Sequence, residues 1–320
     1  MKIKIRLLKE TGYFLIFLLA AAFLFFGATF TTESVFALNI SNVTVTARVN
    51  VTNTEPTLYL VTIFPNPIDL TANTATTVIC NGSVTDANGF TDIKNVSATL
   101  YDISVGSVAA DDNNNHYTNI SCGNCTAIPG SNNQNGSCVC QFAVQYYANP
   151  ATWQCNMTVN DSGSLTSTLN SSFVTLNEVL GISIENNVLD YGNMSASQIS
   201  PPTRENVTST GNIPINVTVR GYGGGNESIG MNLTMICESG TNITFGNQRY
   251  YPNNETAFID MLNLTNRTTR ITNLTLQQRT NDFSFGNSSN STYWRLQIPI
   301  GSAGVCNGTI IFGAIDATLT

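Results

Sequence analysis

Few side chains in this sequence are of a type that performs catalysis. There is one histidine, His116, and it lies in the polar stretch 111–119 (DDNNNHYTN). A Ser-His-Asp or Cys-His nucleophilic site would have to use this histidine as its base. The chain contains no G-x-S-x-G, H-E-x-x-H, P-loop or dinucleotide-binding motif. We therefore interpret His116 as a solvated loop residue, and we expect neither catalytic residues nor a cofactor.

The same stretch has a spacing that could bind calcium. Its D-x-N-x-N pattern is the one that opens many calcium loops. The glycine expected next is replaced by His116, and Cys122 stands where an EF-hand would have its bidentate Glu. An exposed polar loop is the preferred interpretation, with calcium as the alternative. The candidate ligands are Asp111, Asp112, Asn113 and Asn115.

Asn-x-Ser/Thr triplets are far more frequent than other motifs in the chain. We count 24 such Asn residues with a middle residue other than Pro, more than the Asn, Ser and Thr content would give by chance. The triplet is the acceptor for N-linked glycans in exported proteins, so we predict that several sites are occupied. Representative predicted acceptors are Asn39, Asn42, Asn50, Asn81, Asn95, Asn119, Asn156, Asn216, Asn232, Asn242, Asn263, Asn273 and Asn307.

Many of these triplets have an apolar middle residue, as in 216–218 (NVT), 232–234 (NLT) and 273–275 (NLT). Successive side chains of a β-strand point to opposite faces. Asn and Thr would then face solvent while Val or Leu enters the core. The alternative is that the triplet is only a polar–apolar–polar strand repeat without glycans.

The N-terminus has the composition of a secretory signal peptide. Four basic residues precede Gly12, an apolar run spans 13–28, and a V-x-A sequence ends at Ala37. We predict cleavage after residue 37, with a retained anchor or prepilin-type processing after Gly12 as alternatives. No later run is long enough to cross a bilayer. The mature chain is therefore expected to have no membrane span and to be secreted or held at the cell surface.

Removal of residues 1–37 would leave 9 Lys+Arg against 18 Asp+Glu, with Lys94 the single lysine. A surface with this excess of negative charge repels nucleic acid and anionic lipid. We expect neither as a partner. Other cell-surface proteins, or further copies of the chain, remain as expected partners.

Short apolar runs separated by turn signals predict an all-β protein. Residues 38–55 alternate, with Val43, Val45, Val49 and Val51 on one face. They form either the first strand of the folded body or a strand free to pair with a neighbouring subunit. Residues 56–178 and 179–320 then each predict one β-sandwich domain, of immunoglobulin-like or jelly-roll-like type.

Parts of both predicted domains resemble immunoglobulin-like modules of archaeal secreted and surface-layer-type glycoproteins. The residues that carry this resemblance are 64–74 (FPNPIDLTANT) with 80–89 (CNGSVTDANG), and 188–219, which contain the turn TSTGNIP. The resemblance implies a structural or adhesive surface protein. Trp153 stands two residues before Cys155, similar to the immunoglobulin pattern of an aromatic near an inter-sheet disulfide, which implies a Cys80–Cys155 bond.

All eight cysteines follow the predicted signal peptide, so disulfides are expected. The cluster 122–140 has C-x2-C followed by C-x-C. Four thiolates could bind zinc, but the second spacing and an oxidising compartment favour two nested disulfides. The expected pairs are Cys122 with Cys140, Cys125 with Cys138, and Cys237 with Cys306.

The preferred function is a non-enzymatic structural glycoprotein, a subunit of a surface layer, filament or envelope. Residues 38–55 would assemble it by β-strand addition. The alternatives are an adhesin or carbohydrate-binding module, which would use the 111–140 loop or aromatic side chains, and an extracellular hydrolase. The aromatic candidates are Tyr146, Tyr147, Trp153, Tyr250, Tyr251, Tyr293 and Trp294.

Overall fold

The computed structural model of the protein describes residues 43–319. The predicted signal peptide, residues 1–37, and the first part of the predicted strand, residues 38–42, lie outside the described residues. Contacts divide the chain into two units, Met1–Val51 and Thr52–Thr320. All strands of the described residues belong to the second unit.

The predicted all-β fold is confirmed, because nearly all regular structure in the described residues is antiparallel strand. The strands are β1 (Thr57–Phe64), β2 (Thr76–Thr85), β3 (Ile93–Asp102), β4 (His116–Asn119), β5 (Thr126–Ala127), β6 (Asn135–Val144), β7 (Thr152–Asp161), β8 (Thr166–Asn170), β9 (Val174–Thr175), β10 (Ile182–Ile184), β11 (Thr203–Ser209), β12 (Ile215–Gly223), β13 (Leu233–Gly240), β14 (Ile243–Thr244), β15 (Gln248–Tyr251), β16 (Leu262–Asn263), β17 (Thr269–Leu276), β18 (Ser289–Leu296) and β19 (Ser302–Asp316). The helical turns are α1 (Glu227–Gly230) and the 3-10 turns Phe90–Asp92, Phe245–Asn247, Phe258–Asp260 and Gly286–Ser288.

Strands β1–β9 form the first sandwich. One sheet has the order β1-β2-β6-β5, and the other has the order β4-β3-β7-β8, with β9 also on β7. Side chains of β7 alternate between half-buried and buried, which places Trp153, Met157 and Val159 in the core between the sheets. Gly82 of β2 lies so close to this core that an added Cβ would be 2.3 Å from the Met157 sulfur.

Strands β10–β19 form the second sandwich. Its sheets have the orders β10-β11-β18-β15-β16 and β14-β13-β19-β12-β17. Trp294 and Tyr250 stack in the core with ring centroids 5.0 Å apart, and Trp294 also meets Phe312 edge to face. The long β19 pairs first with β13 and then with β12, which makes it the central strand of its sheet.

Four disulfides join the cysteine pairs expected from the sequence. Cys80–Cys155 connects the two sheets of the first sandwich, with Cα atoms 6.4 Å apart. Two further bonds tie the loop after β4 to β6, and the fourth joins facing residues of β13 and β19. These three bonds are Cys122–Cys140, Cys125–Cys138 and Cys237–Cys306.

The two sandwiches meet through buried polar side chains. Asn212 is fully buried; its amide nitrogen donates to the carbonyl oxygens of Ala148 and Asn177, each at 3.0 Å. Asn114 donates in the same way to the carbonyl oxygens of Tyr147 and Arg279, each at 2.9 Å. Because buried amides that are fully hydrogen-bonded fix a unique geometry, these two residues set how the sandwiches pack.

Among residues 43–319, no helix is long and apolar enough to span a bilayer.

Candidate assembly site: the N-terminal arm and its anchor

We call residues 43–51 the N-terminal arm. The sequence predicts a strand here, but residues 43–56 contain no strand in the structure, so this segment is not the first strand of the folded body. Val43 and Val45 are each 83% exposed, and Val49 and Val51 are about as exposed, at 81% and 78%. An alternating row of valines is therefore left uncovered.

Exposure of such a row is unfavourable. Burying one valine side chain contributes roughly 1.5–3 kcal/mol, and contiguous exposed apolar surface in soluble proteins usually marks an interaction site. The alternation suits a β-strand with one covered face. The arm thus has the chemistry of a strand that lacks a sheet.

The chain beyond the arm is fixed to one end of the first sandwich. The Asn53 amide donates to Asp161 Oδ2 at 2.7 Å. The Thr54 backbone N–H donates to Asn88 Oδ1 at 2.8 Å, and the Asn88 amide donates to the Thr52 carbonyl at 3.3 Å. We call Thr52–Thr54 the arm root. It is held by the turn after β2 and by the end of β7.

Three aspartates converge beside the arm root. Asp86 follows β2, Asp92 precedes β3 and Asp161 ends β7, and a carboxylate oxygen from each lies within 4.8 Å of the others. The pairing of Ile93 with Asp161 explains part of this convergence, because it brings the start of β3 next to the end of β7. We call these residues the aspartate cluster.

The carboxylates of the cluster are only partly satisfied. Asp161 Oδ1 accepts the Leu165 backbone N–H at 2.8 Å, and Asp92 accepts the Ser162 hydroxyl. Asp86 Oδ1 accepts the Asn88 N–H at 2.7 Å. Its second oxygen, Oδ2, is buried and has no hydrogen-bond partner. Asp86 as a whole is only 1% exposed.

Burial raises the pKa of Asp86 above its ordinary value, and the nearby charges of Asp92 and Asp161 raise this pKa further. The backbone N–H groups of Asn88 and Gly89 act in the opposite direction. Burial disfavours the charged form of a carboxyl group, and so does a like charge. The net direction of the shift in the pKa of Asp86 is upward.

The sequence did not predict the aspartate cluster. The sequence signal was weak: three acids, each at a strand end. Gly89 has a φ of 105°, which only glycine adopts readily and which lets the turn bring Asp92 back. At Gly163 an added Cβ would be 2.2 Å from the Asn53 amide nitrogen, so a side chain there would displace the amide that anchors the arm root.

Three of the calcium ligands predicted in the 111–115 stretch make other side-chain contacts. Asp111 pairs with His116 Nδ1 at 2.9 Å, Asp112 accepts the Asn114 N–H at 2.9 Å, and Asn113 donates to Asp282 of the second sandwich. Asn115 is half-buried beside them. This stretch uses its polar groups for packing between the sandwiches.

The interpretation of His116 as a solvated residue is wrong. His116 is 1% exposed, and its second ring nitrogen, Nε2, lies 3.3 Å from the Ser107 carbonyl oxygen. Both nitrogens are thus occupied by protein acceptors. The histidine has a structural role at the start of β4.

Most of the aromatic candidates for a carbohydrate-binding surface are buried. Trp153, Tyr147 and Trp294 are fully buried, and Tyr146 and Tyr250 are nearly so; Tyr251 and Tyr293 are half-buried. Tyr146 and Tyr147 face the second sandwich, where Arg279 contacts both. Five of the seven aromatic candidates are thus not available at the surface, which leaves the carbohydrate-binding alternative with Tyr251, Tyr293 and the 111–140 loop.

The predicted glycan acceptors differ in accessibility. Asn39 and Asn42 lie outside the described residues. The exposed acceptors are Asn50, Asn95, Asn232, Asn263, Asn273 and Asn307, and the half-buried ones are Asn81, Asn119, Asn156 and Asn242. Asn216 is fully buried and accepts a hydrogen bond from Thr275 at 2.7 Å. A glycan has no room at Asn216 in the folded chain, so we expect this predicted acceptor to be unoccupied.

Comparison with known proteins gives no family. No protein-family model matches the chain, and no curated protein matches it.

Several solved structures of surface proteins show a distant likeness. A chaperone–tip adhesin complex of CFA/I fimbriae has 8% identity and a TM-score of 0.31, covering 83% of this chain and 84% of that chain. The CsuC–CsuE chaperone–tip subunit complex of Acinetobacter baumannii has 11% identity and a TM-score of 0.33, covering 78% and 96%. The major pilin subunit BcpA of Bacillus cereus has 9% identity and a TM-score of 0.25, covering 83% and 68%. TM-scores this low support no assignment of function to the chain.

Proposed function

We propose that this chain is a non-enzymatic structural glycoprotein of the outer cell surface, a subunit of a surface layer, filament or envelope. The sequence predicts residues 38–55 as the strand that one copy adds to a sheet edge of a second copy; because the arm root, Thr52–Thr54, is held by its own sandwich, we propose that residues 38–51 make this pairing. The observation that carries the proposal is the N-terminal arm, whose alternating valines are all exposed.

Strand addition explains both faces of the arm. Main-chain hydrogen bonds to an edge strand provide affinity, and alternate side chains enter the acceptor's apolar surface. The valines would become buried, while Thr44, Thr46 and Arg48 would remain in water. Two edge strands, β1 and β17, have eight residues each, similar in length to the arm.

The surface chemistry supports an exterior location. All eight cysteines are oxidised in the described residues, as expected for a protein exported to an oxidising compartment. Exposed sequons on strands, such as Asn273 with its buried neighbour Leu274, offer glycan acceptors on the solvent face. Glycans there would cover outer faces and leave assembly to strand edges.

Assembly can be tested on purified protein by electron microscopy. Deletion of residues 38–55 should abolish lattices or fibres, because it removes the strand that adds to the neighbour. Val45→Lys or Val49→Lys should do the same, because a buried ammonium group is strongly unfavourable. Thr46→Lys adds the same charge to the opposite face and should assemble as the wild type does. Circular dichroism should show an unchanged fold in every variant. Normal assembly of the deletion variant would disprove the proposal.

A further inference from the structure

We propose that Asp86, Asp92 and Asp161 bind one divalent cation, calcium, and that the bound ion fixes the arm root on the first sandwich. The metal site does not depend on the proposed assembly. Its consequence for the arm concerns residues 52–54, of which Asn53 contacts Asp161 directly, while Thr52 and Thr54 contact Asn88 in the turn that carries Asp86.

The spacing of the carboxylate oxygens fits a shared ion. Calcium binds oxygen atoms at about 2.3–2.6 Å, so two oxygens on opposite sides of one ion are separated by roughly 4.6–5.2 Å. The three cluster oxygens lie within 4.8 Å of one another. Three oxygens spread evenly around one ion are at most roughly 4.5 Å apart, so one calcium ion can contact all three after a small movement of the carboxylates, with water completing its coordination.

The buried oxygen of Asp86 is independent evidence for a ligand. Its Oδ2 has no partner although Asp86 is 99% buried, and an unpaired buried carboxylate is costly. None of the ion pairs within residues 43–319 includes a cluster aspartate. The nearby Lys94 donates instead to the Thr91 carbonyl. No cationic side chain among residues 43–319 thus forms an ion pair with the cluster.

The carboxylate oxygens of the cluster favour a hard cation over a soft transition metal. The cluster offers carboxylate oxygens but no imidazole, and every cysteine in the described residues is in a disulfide. Oxygen-only sites suit calcium or magnesium, and irregular sites on loops suit calcium better because magnesium demands near-octahedral geometry.

A bound ion would also order the arm root. Asp161 accepts the Asn53 amide through one oxygen, and the turn that carries Asp86 holds Thr52 and Thr54 through Asn88. An ion that joins the turn after β2 to the end of β7 would hold all three contacts in place. The site would therefore hold residues 52–54 in place on the first sandwich.

The experiment is calcium titration of the full chain after chelator treatment, followed by calorimetry and terbium luminescence. We expect one equivalent of calcium and an increase of several degrees in Tm. Asp86→Asn should weaken calcium binding about tenfold or more and lose the increase in Tm. Asp112→Asn, the same substitution in the 111–115 stretch, should behave as the wild type. Equal responses of Asp86→Asn and wild type, or no binding at millimolar calcium, would overturn the site.

Stability in chelator separates the metal site from a structural role of Asp86. Without calcium, Asp86→Asn should be as stable as the wild type or more stable, because it removes an uncompensated charge. A large loss of Tm in chelator would contradict this. Asp92→Asn, at a half-buried position, provides a second variant that should fold and should also lose calcium binding.

Hydrogen exchange tests the effect on the arm. Calcium should slow exchange at Thr54, whose N–H is bonded to Asn88, and Asp86→Asn should abolish the slowing. Calcium binding without slower exchange would refute the anchoring role. These measurements use unassembled protein, so failure of the strand-addition proposal would not affect them.

Discussion

One tripeptide, Asn-x-Thr, occurs in two contrasting environments within the second sandwich. In 273–275 the Asn and Thr are exposed and Leu274 is buried, as alternation requires. In 216–218 all three residues are buried, because β12 lies between β17 and β19 and Asn216 is covered by Thr275. Alternation predicts a strand from sequence, but it does not reveal that a central strand is covered on both faces.

This difference predicts glycan occupancy residue by residue. Glycopeptide mass spectrometry of protein from its native cells should find glycan on Asn273 and none on Asn216. The acceptor amide must be reachable by the transferase, and Asn216 is not reachable in the folded chain. A glycan on Asn216 in folded protein would contradict the packing of β12.

At the scale of elements, strands with clean alternation were predictable and short or polar ones were not. The runs TTVICNGSVTD and TWQCNMTVND correspond to β2 and β7. The stretch 111–119 was expected to be an exposed polar loop, but it contains β4, whose residues HYTN carry no apolar alternation and depend on pairing with β3. The aspartate cluster was equally unpredictable, because its residues come from separate turns.

The disulfides should differ in their contribution to stability. Cys80–Cys155 closes 75 residues and Cys125–Cys138 closes 13. On the chain-entropy model, removing these bonds lowers the free energy of unfolding by about 4 and about 3 kcal/mol, respectively. Urea unfolding followed by circular dichroism should therefore show a larger decrease for Cys80→Ala/Cys155→Ala than for Cys125→Ala/Cys138→Ala. An equal or reversed order would show that the inter-sheet bond does not dominate.

For the molecule as a whole, the contact between the sandwiches depends on uncharged Tyr147. Burial, and then its hydrogen bond to Asp282, raises the pKa of Tyr147 to about 12, above an ordinary value of 10. A group with a raised folded-state pKa contributes stability that is complete below its unfolded pKa. That stability is lost as pH rises through the folded value. The contact should therefore weaken between about pH 10 and 12.

The prediction can be checked with urea midpoints measured from pH 8 to pH 12. The wild type should lose stability steeply above pH 10, and Tyr147→Phe should lose less over the same range because it has no phenol to ionise. Tyr59→Phe, at a tyrosine that is 51% exposed, serves as the control and should follow the wild type. Identical slopes for Tyr147→Phe and wild type would contradict the assignment.

The inter-sheet disulfide has a mechanical consequence for an assembly held through the arm. Tension would enter the first sandwich near Thr52 and leave it towards the second sandwich near residue 179. Cys80–Cys155 lies between these points, so the load would pass through the covalent bond. Residues 81–154 would then bear no tension, and the first sandwich could lengthen only by the short segments before Cys80 and after Cys155.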